Sequence, residues 1–590
     1  MSLPSLVESQ PRQVSRPGLV LLAMCLSVFA VNVDTTIVNI TLPTLVTELG
    51  ATTRELQWIV DAYLLAFAAL VLAGGSLSDR LGRRAVLIFG LTVFGLANLA
   101  ASFCETPEQL IAARAVAGIG AAAAFPTTLS IISQVYRERA ARARAIGIWG
   151  AVGGLAVAFG PITGGALLEV FSWGSTFLVK APLAVLAIVL VALVVPESKD
   201  PAAPRFDVPG LLLSALGLAT LVYTIIEGPE RGWDAPETLI GFAVAAALFI
   251  AFVGWERQVR EPMLDLALFA DRRFTASALA ITVAFFALFG FIFLITQYFQ
   301  FLRGYSPLES GVRILPVAIA IATGSVVGTI LAVRLGNKLI VTTGLVFLAV
   351  AFAWSSTVNT DTSYIEIAAQ MVFLGLGLGL TSAPATEAVM GAVQTDKAGI
   401  GSAVNDATRE VGGTLGVAVI GSVFASLYTA DIEELAATLP PGAGATAADS
   451  IGAAVAVVAQ LPPGQAELLF AAAESGFYQG LQAGCLVASG VAVVGAIVAA
   501  IALPARPTTV ANDTDPPSES TRFGGHPDLG LLARGRGPDG PTEHVLTGAP
   551  GAGGGAGESQ RQDDRGGRPR PEDQRHDAGE LGQGRPGRAR

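Results

Sequence analysis

Residues 74–90 read GGSLSDRLGRRAVLIFG, and residues 328–344 read GTILAVRLGNKLIVTTG. Gly74, Arg80, Leu81, Gly82 and Gly90 of the first stretch recur in register as Gly328, Arg334, Leu335, Gly336 and Gly344, and Arg84 is echoed by Lys338. Each stretch leaves an apolar run, turns through a short basic loop and enters another apolar run. Internal duplication of this kind marks transporter folds. Asp79 becomes Val333 in the second copy, so the acidic group is kept in one copy only.

The chain around the two copies has the composition of a membrane protein. Of 590 residues, 52% are hydrophobic and 14% charged, and the mean hydropathy is +0.59. A soluble protein carries about 25% charged residues. A multidomain soluble enzyme is therefore excluded, and so is disorder through most of the chain. What is left is an all-α integral membrane protein. A helix needs about 20 apolar residues to cross a bilayer. Fourteen such runs occur, at 18–40, 55–75, 85–104, 108–133, 144–168, 174–195, 208–226, 238–256, 275–297, 311–333, 338–358, 364–392, 400–428 and 476–503. Each copy of the repeat follows the second span of a six-span set. Spans 1–6 and 9–14 thus read as two halves, with spans 7 and 8 inserted between them.

With residue 1 in the cytoplasm, inner loops before residue 504 hold 18 Lys or Arg and outer loops hold 4. This bias places both termini in the cytoplasm of a multi-pass protein of the cell (inner) membrane. The first apolar run is too long for a signal peptide and reads as a retained span. The expected organisation is a cytoplasmic N-terminus at 1–17, a six-helix half at 18–195, a linker with two helices at 196–272, a second half at 273–503 and a tail at 504–590. Residues 429–475 form a long outer loop with one or two surface helices. The tail holds 29 Gly or Pro and interleaved charges, a composition that cannot fold on its own.

Cys25, Cys104 and Cys485 have no metal-ligand spacing and read as apolar core residues. No basic patch points to nucleic acid, and no phosphate-binding Gly-x-x-x-x-Gly-Lys-Ser/Thr loop occurs. The chain is read as a non-enzyme that needs no cofactor or metal. All three histidines lie in the tail, so proton chemistry in the membrane falls to carboxylates.

Ionisable residues within spans are costly and are read as functional. Asp34 lies in span 1. Asp61 is about six residues into span 2, or about 9 Å deep. Arg114 in span 4 and Lys180 in span 6 have similar depth. The four suggest a compensating cluster around a water-filled cavity, although Lys180 reads more readily as snorkelling outward. A free Asp is too acidic, near pKa ~3.9, to load a proton at neutral pH. Alternation between a dry and an Arg-paired setting would let Asp34 or Asp61 release and reload one. Near the cytoplasmic side, Glu387 lies in span 12, with Asp406, Arg409 and Glu410 in span 13. Asp406 and Glu410 share a helix face. Span 9 carries Phe285, Phe286, Phe289, Phe291, Phe293 and Phe299. Packing against lipid accounts for most of them, and one face could offer stacking to a ligand.

GGSLSDRLGRR (74–84), RAVAGIG (114–120), GPITGG (160–165), VDTTIVNITLP (33–43) and NDATREVGG (405–413) together resemble the major facilitator superfamily, specifically its 14-span drug:proton antiporters. The resemblance covers about residues 15–503. It implies the major facilitator fold, with two six-helix halves, two inserted central helices and alternating access between the halves. It also implies proton coupling at Asp34 and Arg114, with Asp61 as the second acid of exporters that handle organic cations. The loop residues Gly75, Asp79, Arg80, Gly82, Arg83 and Arg84 would gate, latching one facing state. Gly160, Pro161, Gly164 and Gly165 would form the antiporter helix motif. Lys180 departs from the usual Asn, Ala156 from a usual Gly, and Trp173-Gly174 from the usual Trp-Arg. The partners implied are a small-molecule substrate, protons and the lipid bilayer, with the chain a monomer. Two alternatives stay open: an exporter of an endogenous metabolite or self-made antibiotic on the same scaffold, and a non-transporting membrane sensor or scaffold.

Overall fold

The computed structural model describes residues 16–199, 206–393, 398–436, 439–440 and 442–504. The expected tail, the first 15 residues and the basic loop around Lys397 lie outside them. Fourteen helices among the described residues are long and apolar enough to cross a membrane. The first six are α1 (Pro17–Leu49), α2 (Thr53–Leu81), α3 (Arg83–Ala101), α4 (Pro107–Val135), α5 (Arg144–Val170) and α6 (Ser175–Val194). An inserted pair follows, α7 (Val208–Arg231) and α8 (Pro236–Glu256). The last six are α9 (Arg272–Leu302), α10 (Pro307–Leu335), α11 (Asn337–Ser355), α12 (Tyr364–Ala392), α13 (Gly401–Glu433) and α14 (Pro463–Ala502).

Local chemistry sets the helix ends. Gly50 takes a left-handed φ of 67° to close α1, and Thr52 and Glu55 form a reciprocal capping box that opens α2. Gly82 and Gly336, the paired glycines of the repeat, have φ of 118° and 91°. Each lets one helix end and the next begin without a loop.

The helices pair in the same way in both halves. α4 packs on α2 and α3, α1 on α5, and α3 on α6; eight helices later, α12 packs on α10 and α11, α9 on α13, and α11 on α14. The repeat in the sequence reflects these contacts. A Cβ on Gly74 would overlap the carbonyl of Ala122 in α4, and one on Gly90 would stand 2.7 Å from the carbonyl of Gly120. In the second half, a Cβ on Gly328 would stand 3.1 Å from the Leu380 backbone and one on Gly344 2.8 Å from the Gly377 carbonyl. Small residues let these backbones approach where no water-driven force holds the helices together.

Two helix pairs join the halves. α2 meets α13, where the Gln57 amide donates to the carbonyls of Val417 (3.3 Å) and Ala418 (3.2 Å) and to Ser422 Oγ (3.3 Å). α5 meets α10, where Gly165 faces the backbone of Leu308 and Gly311 faces the carbonyl of Pro161. Ser306 Oγ donates to Glu169 beside that crossing at 2.7 Å. These joints lie on the face of the bundle that carries the α1–α2 connection. α7 and α8 pack together, and α7 rests on both α2 and α13 through Val222, Ile225, Ile226, Ala68 and Ala418.

Two expectations need correction. Phe286, Phe289, Phe291, Phe293 and Phe299 are buried, so α9 is an interior helix and its phenylalanines do not face lipid. Hydropathy is equally high in either setting and cannot tell them apart. Between α13 and α14 there are two short helices, Ala443–Asp449 and Ile451–Val458. They keep an exposed side and dock by the other: Gly452 sits against Phe301 of α9 and Val46 of α1, and the Tyr428 hydroxyl donates to the Ala447 carbonyl at 3.0 Å. The flanking helices run on past their apolar cores into the stretch read as loop.

Candidate functional site

Asp34 is fully buried in α1, and both of its carboxylate oxygens are taken. Arg114 of α4 reaches Oδ2 through Nη1 at 2.5 Å. Lys180 of α6 pairs with Oδ1 through Nζ. The cations are oriented by their own neighbours. Arg114 Nε donates to the Ile59 carbonyl at 3.0 Å, and its guanidinium lies 4.3 Å from the centre of the Tyr63 ring. Lys180 Nζ is 4.3 Å from the centre of the Phe177 ring. Thr41 donates to Thr176 at 3.2 Å, which ties α1 to α6 beside the cluster. Lys180 is thus a full member of the buried triad, and the outward snorkelling read from the sequence is incorrect. Its helix is rotated so that the long side chain points inward to the acid and away from the headgroups.

Asp61 makes no ion pair with Arg114, whose Nη1 is on Asp34. It lies between Gln57 and Leu64 on one helix face, at spacings of four and three. Gln57 and Leu64 both touch α13, at Gly421 and Gly413. Arg114 is bound on the other side of α2, at Ile59. Asp61 is therefore not in the triad. It is fully buried, and neither carboxylate oxygen has a hydrogen-bond partner among the described residues.

In the second half, Asp406, Arg409 and Glu410 come together on α13. Asn405 Nδ2 donates to Asp406 Oδ1 at 3.3 Å, Thr386 of α12 donates to Asn405 at 2.9 Å, and Arg409 Nη2 donates to Thr386 at 3.2 Å. The Arg409 guanidinium lies 5.3 Å from the Phe285 ring centre. Asp406 Oδ2, Glu410 Oε2 and Arg409 Nε are buried and lack partners among the described residues. An interior with free acceptors and a free donor can receive a polar or charged guest. Glu387 stands apart from this group. It is exposed at the end of α12 and accepts from Asn337 at 3.1 Å, next to the second copy of the loop motif.

The first copy of that loop is held within its own half. Asp79 pairs with Arg83 at 2.7 Å. Glu197, beyond the end of α6, accepts from the backbone N–H groups of Arg84 (3.2 Å) and Ala85 (3.1 Å), and Arg84 Nη2 donates to the Ala192 carbonyl at 2.6 Å. A Cβ on Gly82 would meet the Glu197 carboxylate at 2.6 Å. Arg80 is exposed, and Gly75 has ordinary space around it, with Pro126 at 3.8 Å; the tight position is Gly74. In the GPITGG stretch at 160–165, Gly160 and Gly164 abut Thr36, Ile37 and Ile40 of α1, while Pro161 and Gly165 abut α10. One short stretch of α5 thus touches both halves. Sequence reasoning missed Tyr63, Thr386, Asn405 and Glu197. Asn405 left a signal as the first residue of NDATREVGG, and Glu197 as a lone acid closing a span opposite a basic loop.

Two six-helix bundles repeating at an eight-helix offset among apolar spans, with the Asp34–Arg114–Lys180 ion pairs buried in the first, define a transporter embedded in a membrane. The chain belongs to the Major Facilitator Superfamily, whose profile matches residues 24–417. It is 34% identical over 494 residues to the "Multidrug efflux pump LfrA" of Mycolicibacterium smegmatis, covering 84% of this chain and 98% of that one. It is also 34% identical to the "Methyl viologen resistance protein SmvA" of Salmonella typhimurium, covering 78% of this chain and 93% of that one. Among solved structures, a bacterial homologue of the human lysosomal transporter Spinster, inward-facing and unoccupied, shares the fold, with a TM-score of 0.61 at 16% identity. That match covers 84% of this chain and 99% of the other.

Proposed function

We propose that this chain is a proton-coupled antiporter that exports drugs and other amphipathic small molecules, organic cations among them, by alternating access. The observation that carries this reading is the set of ionisable side chains sealed inside the bundle: Asp34 with Arg114 and Lys180 in one half, Asp406 with Arg409 and Glu410 in the other, and Asp61 at the seam between the halves. Buried charge is too costly to be kept for packing alone, and an exporter without a nucleotide site needs groups that can exchange protons. The named relatives, a multidrug pump and a methyl viologen resistance protein, point to the same substrate class.

The chain sits as a monomer in the cell membrane with both termini cytoplasmic, so the joined ends of α2/α13 and α5/α10 face outward and this state is open inward. Residues 18–195 and 273–503 are the moving halves, and 196–272 links them. Gly75, Asp79, Arg80, Gly82, Arg83 and Arg84 form the inner gate, Glu387 serves its second copy, and Gly160, Pro161, Gly164 and Gly165 form the pivot. The test is ethidium transport by the purified protein in vesicles with an imposed pH gradient. Uptake should collapse when a protonophore removes the gradient; uptake that continues unchanged sinks the proton-coupled reading.

A further inference from the structure

The triad holds more positive than negative charge. Asp34 supplies one carboxylate, Arg114 and Lys180 each supply a cation, and none is more than 1% exposed. Because each carboxylate oxygen is already held by a cation, a proton placed on Asp34 would strand both cations in a dry interior. Arg114 cannot lose its proton in a protein, whereas a buried lysine gives its proton up readily. Loss of one proton from Lys180 takes the triad from one excess positive charge to none. The neutral amine still has an N–H to donate to Asp34 Oδ1, so the contact survives the change.

The groups around Lys180 leave it this role. α1 presents Asp34, α4 presents Arg114, and α2 presents Tyr63, whose ring lies against Arg114. On α6 itself Phe177 faces the ammonium. α3 also packs on α6, but its charged residues, Arg83 and Arg84, are at its start and are held by Asp79 and Ala192. On α5, Arg144 and Glu169 lie at the two ends. In the other half, Glu410 stands on α13 with Asp406 and Arg409. We propose that Lys180, and not Asp34, is the group of the N-terminal half that gives up and takes back the transported proton. This rests on the proton-coupled reading above and names the atom, Nζ, that exchanges with water.

The chain has four lysines, Lys180, Lys199, Lys338 and Lys397. Full-length protein labelled with 13C at lysine Cε and placed in nanodiscs should give a Lys180 signal, identified by its loss in Lys180→Met. That signal should titrate across the pH range in which the wild type transports. A Lys180 that stays charged throughout that range overturns the assignment. In vesicles, Lys180→Arg (always charged) and Lys180→Met (never charged) should each lose gradient-driven ethidium uptake by tenfold or more. If either variant fails to fold, the wild-type titration decides. Wild-type uptake indifferent to the gradient defeats the proton-coupled reading itself. Coupled uptake by wild type and both variants alike defeats only the role of Lys180.

Discussion

The side-chain amide of Gln57 in α2 fills the space that a Cβ on Gly421 in α13 would need. With its bonds to Val417, Ala418 and Ser422, this makes Gln57 the main polar tie across the seam of the two halves. Gly421→Ala should displace the amide and part the seam. Overpacking costs about 1–3 kcal/mol, and each lost hydrogen bond about 1 kcal/mol. The balance of facing states should therefore shift about tenfold or more toward the open seam. Spin labels at the exposed Thr47 and Asp361 should report a longer distance population. An unchanged distribution would show that the seam is not held here.

Removing the acid from the triad should be more harmful than removing either cation. Asp34→Asn leaves Arg114 and Lys180 buried side by side without a counter-charge, a cost of about 3–5 kcal/mol. The variant should melt at lower temperature and lose gradient-driven export. Adding Lys180→Met to it should recover part of the stability, because one of the stranded charges is then gone. A double variant no more stable than Asp34→Asn would mean that Lys180 and Asp34 are not coupled.

Glu197 fixes the start of α3 and the turn at Gly82. Its carboxylate accepts from two of the N–H groups that a helix N-terminus leaves free. Glu197→Ala should cost about 0.5–1 kcal/mol locally, seen as faster amide exchange at residues 83–86. Glu197→Gln keeps an acceptor but not the charge and should fall between. Equal exchange in all three proteins would show that Glu197 does not hold this turn.

Much of this architecture is legible in the sequence because its causes are local. The duplicated loop marks places where a helix must turn in one residue and where two backbones touch, and both requirements select Gly at fixed spacing. Asp34 and Arg114 stand out because charge within an apolar run is costly wherever it points. Direction is what the sequence does not carry. A helix can be rotated about its axis without changing its hydropathy, so Lys180 turned inward, Asp61 turned to α13 and the phenylalanines of α9 turned from lipid are decided by packing between distant segments. The same holds for Glu387, whose partner Asn337 comes from the start of the preceding helix, fifty residues back, and for the short helices at 443–458, which are placed by Val46 and Phe301.

Those short helices should respond to pH through Asp449, which closes the first of them outside the spans. Burial, with Glu230 and Glu55 nearby, raises its carboxyl above the ordinary range, and Arg54 offsets only part of this. An acid whose affinity for protons is higher in the docked state stabilises docking when protonated. Docking should thus be tightest at acidic pH and weaken as pH rises through the raised value, starting above the ordinary carboxylate range near ~4. Amide exchange across residues 443–458 should accelerate as pH rises from about 4 to 8, after correction for the intrinsic rate. Asp449→Asn should flatten the dependence and keep the helices docked through the same contacts, Tyr428 to the Ala447 carbonyl and Thr429 to the Ala448 carbonyl. Exchange that slows with rising pH, or a dependence that persists in Asp449→Asn, would place the controlling group elsewhere.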